Sequence, residues 1–437
     1  MRFGRRFLLF AVGCAAICSL AFATEGSEAG RKLLTGQAAM DDWKGDAPGV
    51  RRRLTVADLP SPNASRSASN FPTIVSRPRD AQLHVPDGFR IEEYAAGLRD
   101  PRVLLTAPNG DIFVTESRAN QIKVMRDKDG DGKPDTTQIF SEAQLNKPFG
   151  IAFYPPGNDP QYLYVANTDG VICFPYRNGD LGARGPGEKL GAQLSPGGLL
   201  RGGGHWTRNL AFSPDGKKMY VSVGSRSNVS DNAAEANRAR IFEFNPDGTG
   251  QKEYAWGIRN AVGLAFRPGT NELWMSTNER DELGDNLVPD YISRVMPGGF
   301  YGWPWFYLGN HRDPRHNGKH AELADKVIVP DVLVQAHSAA LNLCFYNGQQ
   351  FPEEYRGDIF VAFHGSWNRS RRTGYKIVRV PMDGGKAQGE YEDFVTGFVT
   401  REGNVWGRPV GVTVAKDGSL LFSEDGHGTI WRVSVSR

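Results

Sequence analysis

Cysteine is scarce in this chain: four of 437 residues, and two of those, Cys14 and Cys18, fall within the first 23. Cys173 in VICFPY and Cys344 in LNLCFY lie in apolar, strand-like runs. Buried thiols are therefore expected, although an exported location would permit one disulfide. Long apolar runs are equally scarce. The single candidate, Phe7 to Phe22, follows Arg2, Arg5 and Arg6 and ends in Ala21-Phe22-Ala23, the small-x-small pattern of a signal-peptidase site. It is short of the roughly 20 apolar residues that span a bilayer. Residues 1–23 are thus expected to be a cleavable signal peptide and the protein periplasmic or secreted; an uncleaved anchor is the alternative. Cys14 is a poor lipoprotein site, because Ala11 stands where a larger apolar residue is usual.

An excess of either charge is also missing. Loss of residues 1–23 removes three arginines and no acid, leaving 49 basic against 49 acidic side chains. A near-neutral surface argues against nucleic acid as a partner, since phosphates reward a strongly basic one. There is no G-x-S-x-G elbow, H-E-x-x-H zinc site, Walker loop or C-x-x-C-H haem attachment. The histidine-rich HRDPRHNGKH reads first as a surface insertion, being dense in Gly, Pro and charge.

Long helical periods are absent, and what stands in their place is a recurring phrase. PRVLLTAPNGDIFVTES, KPFGIAFYPPGNDPQYLYVANTDG, TRNLAFSPDGKKMYVSVGSRSN, NAVGLAFRPGTNELWMSTNERDE, AALNLCFYNGQQFPEEYRGDIFVAFHGSWN and RPVGVTVAKDGSLLFSEDGHG share one plan: apolar strand, turn, apolar strand, polar loop. Small antiparallel sheets repeating about every 60 residues need neighbours to cover both faces, which a radial array supplies. The expected fold is all-β, a six-bladed β-propeller over residues 87–437, with GFRIEEYAAGL supplying the strand that closes the ring; a β-sandwich is the alternative. Residues 24–86, rich in Ser, Pro, Arg and Ala, read as a mostly irregular extension in which LTVADLP and PTIVSRP lie against the body.

In a propeller blade the segment entering the innermost strand and the loop between the second and third strands emerge on one face. The first set contributes Arg102, Lys147, His205 with Arg208, Arg259 with Asn260, His337 with Ser338, and Arg408. The second contributes NTDG, GSRSN, NERDELGDN, HGSWNRSRR and EDGHG. Several arginines aimed into one channel repel unless an anion fills it, so a shared polycarboxylate or phosphate ligand is expected, against local pairing of each arginine with an acid. STNERDELGDN could hold a hard cation or be a solvated loop. DKDGDGKPD sets Asp127, Asp129, Asp131 and Asp135 among glycines as in the first half of an EF-hand loop, although Gln138 occupies the twelfth position. A structural calcium clip is expected there, an acidic hairpin turn without metal being the alternative.

At GGGHWTRNLAFSPDG, GIRNAVGLAF, GGFYGWPW and FHGSWNRSRRTGYKIVRV the chain resembles the glucose/sorbosone dehydrogenases, in particular the sorbosone-dehydrogenase branch related to pyrroloquinoline quinone (PQQ) dependent pyranose dehydrogenases. The resemblance implies PQQ at the channel mouth with Ca2+, and oxidation of a sugar or sugar-derived aldehyde with electrons leaving to an external acceptor. It makes His205 the base that takes the hydroxyl proton and Arg259 the stabiliser of charge on the quinone oxygen. Asn260, Arg208, His364, Arg369 and Arg408 would bind the cofactor. Calcium would sit against the carbonyls near Glu279 and Arg280, with Asp285 as carboxylate partner. The chain departs from the soluble glucose dehydrogenases in having Ala261 rather than proline after Arg259-Asn260, and no lysine in the fifth unit's loop. A calcium-dependent lactonase, or a secreted propeller that only binds glycan or protein, are the alternatives.

Overall fold

The computed structural model describes Met1 and residues 32–192, 194–195 and 204–436, so the expected signal peptide lies almost wholly outside the described residues. Among the described residues no helix is long and apolar enough to cross a membrane, and the only α-helix is the four-residue Gly36–Ala39. Besides six short 3-10 helices, the rest of the described residues is sheet, turn and irregular chain.

Six four-stranded antiparallel blades carry the six sequence units. Their innermost strands are Pro101–Thr106, Ile151–Tyr154, Leu210–Phe212, Ala261–Phe266, Ala340–Phe345 and Pro409–Val414. The sixth blade takes its outer strand, Phe89–Ala95, from the N-terminal side of the first blade, where it pairs antiparallel with Thr429–Val435. The ring is closed by sequence-distant strands, as the pattern anticipated.

Second strands such as Met219–Val223, Leu273–Thr277, Ile359–Phe363 and Leu420–Glu424 are buried along their whole length. Both faces of each blade are covered by neighbours, which is why these strands read as continuous apolar runs rather than as alternations. Six hydrophobic clusters fill the six gaps between blades; Tyr94, Leu104, Met125, Leu421 and Ile430, for example, join the sixth blade to the first.

Near the axis the blades are stitched by hydrogen bonds between neighbouring units. Thr115 Oγ1 donates to the Phe149 carbonyl at 2.9 Å, Asn209 Nδ2 to that of Val262 at 2.8 Å, and Ser423 Oγ to that of Arg102 at 2.6 Å. Ser276 Oγ donates to the Leu341 carbonyl, Gly150 N to that of Arg208 at 3.0 Å, and Val412 N to Asn342 Oδ1 at 3.2 Å. Every junction is bridged. The approach is close enough that a Cβ on Gly411 would fall on the Arg102 carbonyl and the Ser423 hydroxyl, and one on Gly263 on Ser276 and the Leu341 carbonyl.

Residues 32–86 run over this body. Arg51–Arg53 pairs antiparallel with the fifth blade's outer strand, and Leu33–Thr35 runs parallel beside it. Arg52 is fully buried, with Nη1 2.8 Å from Asp393 and Nη2 2.8 Å from Asp46, and Lys376 Nζ lies 2.8 Å from both acids.

Adding a methyl at Gly411 should destabilise the protein by about 2 kcal/mol, the usual cost of overpacking a filled site. A lowered urea midpoint with unchanged slope would show it; an unchanged midpoint would mean that the junction has room to spare.

Candidate functional site

A cavity of about 1110 Å3 opens on the axis, on the face reached by the segments entering the innermost strands and by the loops between second and third strands. His205, Arg259, Asn260, Glu279, His364 and Arg408 all line it. The expected convergence of these residues on one face is therefore present.

His205 is fixed from below. Gly204 holds φ +100°, and a Cβ there would strike the backbone of Arg226, so only glycine lets the chain turn into the site. His205 Nδ1 lies 2.9 Å from the Ser225 carbonyl and 3.1 Å from Ser225 Oγ. The Ser225 hydroxyl donates to the Ser227 carbonyl at 2.6 Å, so Nδ1 is the protonated nitrogen and Nε2 keeps its lone pair. Burial, with Arg259 next in weight, holds the imidazole well below its usual value; the ring is neutral at neutral pH. Arg208 Nη1 and Arg238 Nη2 donate to the His205 carbonyl at 3.1 and 3.0 Å. Arg208 is fully buried under this loop, also bonded to the carbonyls of Thr207 and Ser195, and does not line the cavity. Its expected contact with a cofactor is replaced by support of the loop that carries His205.

One wall is acidic. Asp290 accepts the backbone N–H groups of Glu279 and Ala339 at 2.8 and 2.7 Å. Burial raises Asp290 to about 7 and Glu279 to about 8. Arg259 spans this wall, donating through Nη1 to the Glu279 carbonyl at 2.7 Å, through Nη2 to Asp281 at 2.8 Å and Asn228 Oδ1 at 3.2 Å, and through Nε to the Asn228 carbonyl at 3.1 Å. Beside it, Asn260 donates to Asn278 Oδ1 at 3.3 Å, while its own Oδ1 is buried without a partner.

The opposite wall is cationic. Arg102 pairs with Asp425, and its guanidinium lies over the rings of Phe149 and Trp206 at 5.5 and 5.4 Å. His364 Nε2 sits 2.9 Å from Asp425; burial and Arg408 push the imidazole down to about 4, so a neutral ring donates to the carboxylate. Arg408 makes no ion pair within hydrogen-bond range among the described residues: its Nε and Nη2 donate to the carbonyls of His364 and Gly365 at 3.3 and 3.5 Å. Arg102 and Asp425 complete a cluster that the expected site set did not include; Arg102 was visible as a channel-facing arginine, whereas Asp425 lay unmarked in EDGHG.

The expected calcium set does not assemble. The Glu279 carbonyl is taken by Arg259. Arg280 is paired with Asp313 at 2.6 Å and lies outside the cavity. Asp285 accepts Ser370 N at 2.9 Å, and its own N–H donates to Ser65 Oγ at 2.8 Å. Arg369 also points away, donating to Asn286 Oδ1 at 2.6 Å and to the Met40 carbonyl, because the N-terminal segment passes beneath it. In the DKDGDGKPD loop, ligand oxygens of Asp127, Asp129 and Asp135 lie within 4.8 Å of one another, without Asp131. Asp131 instead accepts Lys133 N at 2.8 Å. This loop joins third and fourth strands and thus lies on the face opposite the cavity.

Six blades around a polar axial cavity, cationic on one side and acidic on the other, define a β-propeller with a small-molecule site at its centre. The chain belongs to the glucose/sorbosone dehydrogenase family, which matches residues 198–432; a TrAA12-like family also matches residues 83–298. An uncharacterized protein of Borreliella burgdorferi is 29% identical over 372 residues, 83% of this chain and 93% of the relative. A pyrroloquinoline quinone-dependent pyranose dehydrogenase of Coprinopsis cinerea is 24% identical over 413 residues, covering 80% of this chain but only 54% of that protein. The holo PQQ domain of a Coprinopsis cinerea pyranose dehydrogenase superposes with a TM-score of 0.67 at 21% identity, over 84% of this chain and all (100%) of that one. A PQQ-bound aldose sugar dehydrogenase from Streptomyces coelicolor gives 0.56 at 19%, over 80% and 100%. These likenesses establish the propeller architecture.

Glu279 binds its proton more tightly in the folded state than in the unfolded one, so its contribution to stability is full below about pH 4.5 and lost as pH rises toward about 8. Glu279→Gln, which cannot ionise, should gain in melting temperature relative to the parent between pH 5 and pH 8.5. A constant difference across that range would place Glu279 outside the titrating core.

Proposed function

We propose that this protein is a PQQ-dependent dehydrogenase that oxidises a sugar or sugar-derived aldehyde of pyranose or sorbosone type and hands the electrons to an external acceptor. One observation carries the reading: a neutral histidine whose Nε2 has no partner among the described residues shares a cavity with Arg408, a half-buried arginine that makes no ion pair among the described residues. The pyranose and aldose sugar dehydrogenase activities of the similar Coprinopsis and Streptomyces proteins support it.

The residues present suit the quinone. Arg408, whose Nε and Nη2 reach only carbonyl oxygens, offers its guanidinium to a carboxylate of the cofactor. When bound, PQQ supplies a two-electron acceptor for the hydride of the carbinol carbon. His205 Nε2 takes the hydroxyl proton, its tautomer fixed by Ser225. Arg259, with its donors engaged by Asn228, Glu279 and Asp281, acts chiefly by its field, keeping the imidazole unprotonated. Glu279, Arg280 and Asp285, read from the sequence as the calcium ligands beside the cofactor, do not converge on the cavity, and no step is routed through that ion.

The test is to add PQQ to the purified protein, with and without calcium, and to follow reduction of an artificial acceptor dye with aldoses, sorbosone and polyols. Saturable PQQ binding and sugar-dependent reduction are expected; no binding in either condition would refute the reading. His205→Ala should keep PQQ binding and lose roughly a hundredfold or more in turnover.

Because the His205 imidazole is held below its usual value, a base at this position stays active as pH falls through 6.5. The acid limb of kcat/KM should therefore lie below pH 6.5. Removing the neighbouring charge in Arg259→Gln should raise the imidazole and move that limb upward. A limb that stays in place would assign it to another group.

A further inference from the structure

Residues 63–75 run as a strap along the cavity rim, from the fourth blade past the fifth toward the sixth. Asn63 N donates to the Leu283 carbonyl at 2.8 Å on the fourth blade's loop. On the fifth blade's loop, Asn70 N donates to the Trp367 carbonyl at 2.6 Å, and Arg372 Nη1 to the Asn70 carbonyl at 3.0 Å. Toward the sixth blade, Val75 N donates to the Val405 carbonyl at 2.9 Å and receives the strand back through Val405 N to Thr73 O at 3.0 Å. The backbone is thus held at three places.

Between these anchors the strap presents Phe71 and Ile74 to the cavity rim, 67% and 42% exposed. Phe71 stacks on Trp367, itself 38% exposed, with ring centroids 5.0 Å apart and planes 19° from parallel. Trp367 is followed by Asn368, whose Nδ2 lies 3.1 Å from His337 Nδ1 and donates to Asp281 inside the cavity. A broad apolar surface is therefore held at the mouth of a polar pocket, at the cost of leaving it in water. Such a patch marks a contact site, and its position selects the contact: whatever projects outward from a molecule seated on His205.

We propose that Phe71 and Trp367 form a subsite for a second sugar ring, so that the preferred substrate is an oligosaccharide entering by its reducing end. The inference rests on the dehydrogenase reading for the seat of the first ring. An apolar ring face of a pyranose covers the aromatic pair while its hydroxyls remain in water.

The test measures binding of glucose, cellotriose and maltotriose to the apoprotein by tryptophan fluorescence and calorimetry, and dye reduction by the PQQ-loaded protein. At least one trisaccharide should bind about tenfold more tightly than glucose, the effect of roughly one good contact. Phe71→Ala and Trp367→Ala should abolish that ratio and Phe71→Trp should preserve it. Equal affinity for glucose and both trisaccharides would overturn the subsite, and sugar-dependent dye reduction in the same preparation would leave the dehydrogenase reading standing. A length preference that Phe71→Ala removes, in protein that binds no PQQ, would uphold the subsite and sink the dehydrogenase reading.

Discussion

The convergence of six innermost strands on one axis is the constraint from which the rest of the structure follows. Sheets brought that close cannot all carry side chains inward, so glycine stands at Gly150, Gly263 and Gly411 where a Cβ would strike the next blade. The other three junctions are bridged by Thr115, Asn209 and Asn342, and Ser276 and Ser423 bond across the gap beside Gly263 and Gly411. These bonds end on residues next to or within the segments that bear the site: the carbonyls of Arg102, Arg208 and Val262 are acceptors. Ring closure and site geometry are one set of contacts. A blade cannot shift without moving a cavity residue.

Against that rigid frame the cavity collects groups that are individually costly. Glu279 and Asp290 are buried acids whose proton affinity is raised into the neutral range, and Arg408 is a half-buried cation that makes no ion pair among the described residues. Buried ionisable groups of this kind cost stability unless paired, and the tight packing between blades offsets them. Away from the cavity, Arg52 is paired with Asp46 and Asp393, whereas Arg208 and Arg369 are held by carbonyl and amide oxygens.

The repeat made the blades legible because a period of strand, turn, strand and loop survives wide changes in composition. It also placed His205, Arg259, Asn260, His364 and Arg408 on one face, since topology alone decides which segments reach it. What periodicity does not carry is the direction of each long side chain. Arg208 points under its own loop, Arg280 finds Asp313, and Asp285 is met by Ser370. These choices depend on partners far away in sequence. Asp425 was hidden for the converse reason: in EDGHG it reads as turn punctuation, and only the approach of Arg102 and His364 from two other blades gives it a role.

The aperiodic N-terminal segment explains the remaining difference. HGSWNRSRR looked like one basic loop aimed at an anion, yet the structure divides it by residue. His364, Trp367 and Asn368 line the cavity. Arg369 reaches the Met40 carbonyl, Arg371 lies 3.4 Å from Asp42, and Arg372 bonds to the carbonyl of Asn70. The segment from Met40 to Asp42 supplies a carbonyl and a carboxylate to arginines that would otherwise crowd Arg408. Taking positive charge away from the cavity lowers the repulsion among the cations left there, and the bond from Arg372 to the Asn70 carbonyl seats the strap that carries Phe71 at the rim. A stretch with no helical or strand period thus helps set both the charge of the site and the shape of its opening.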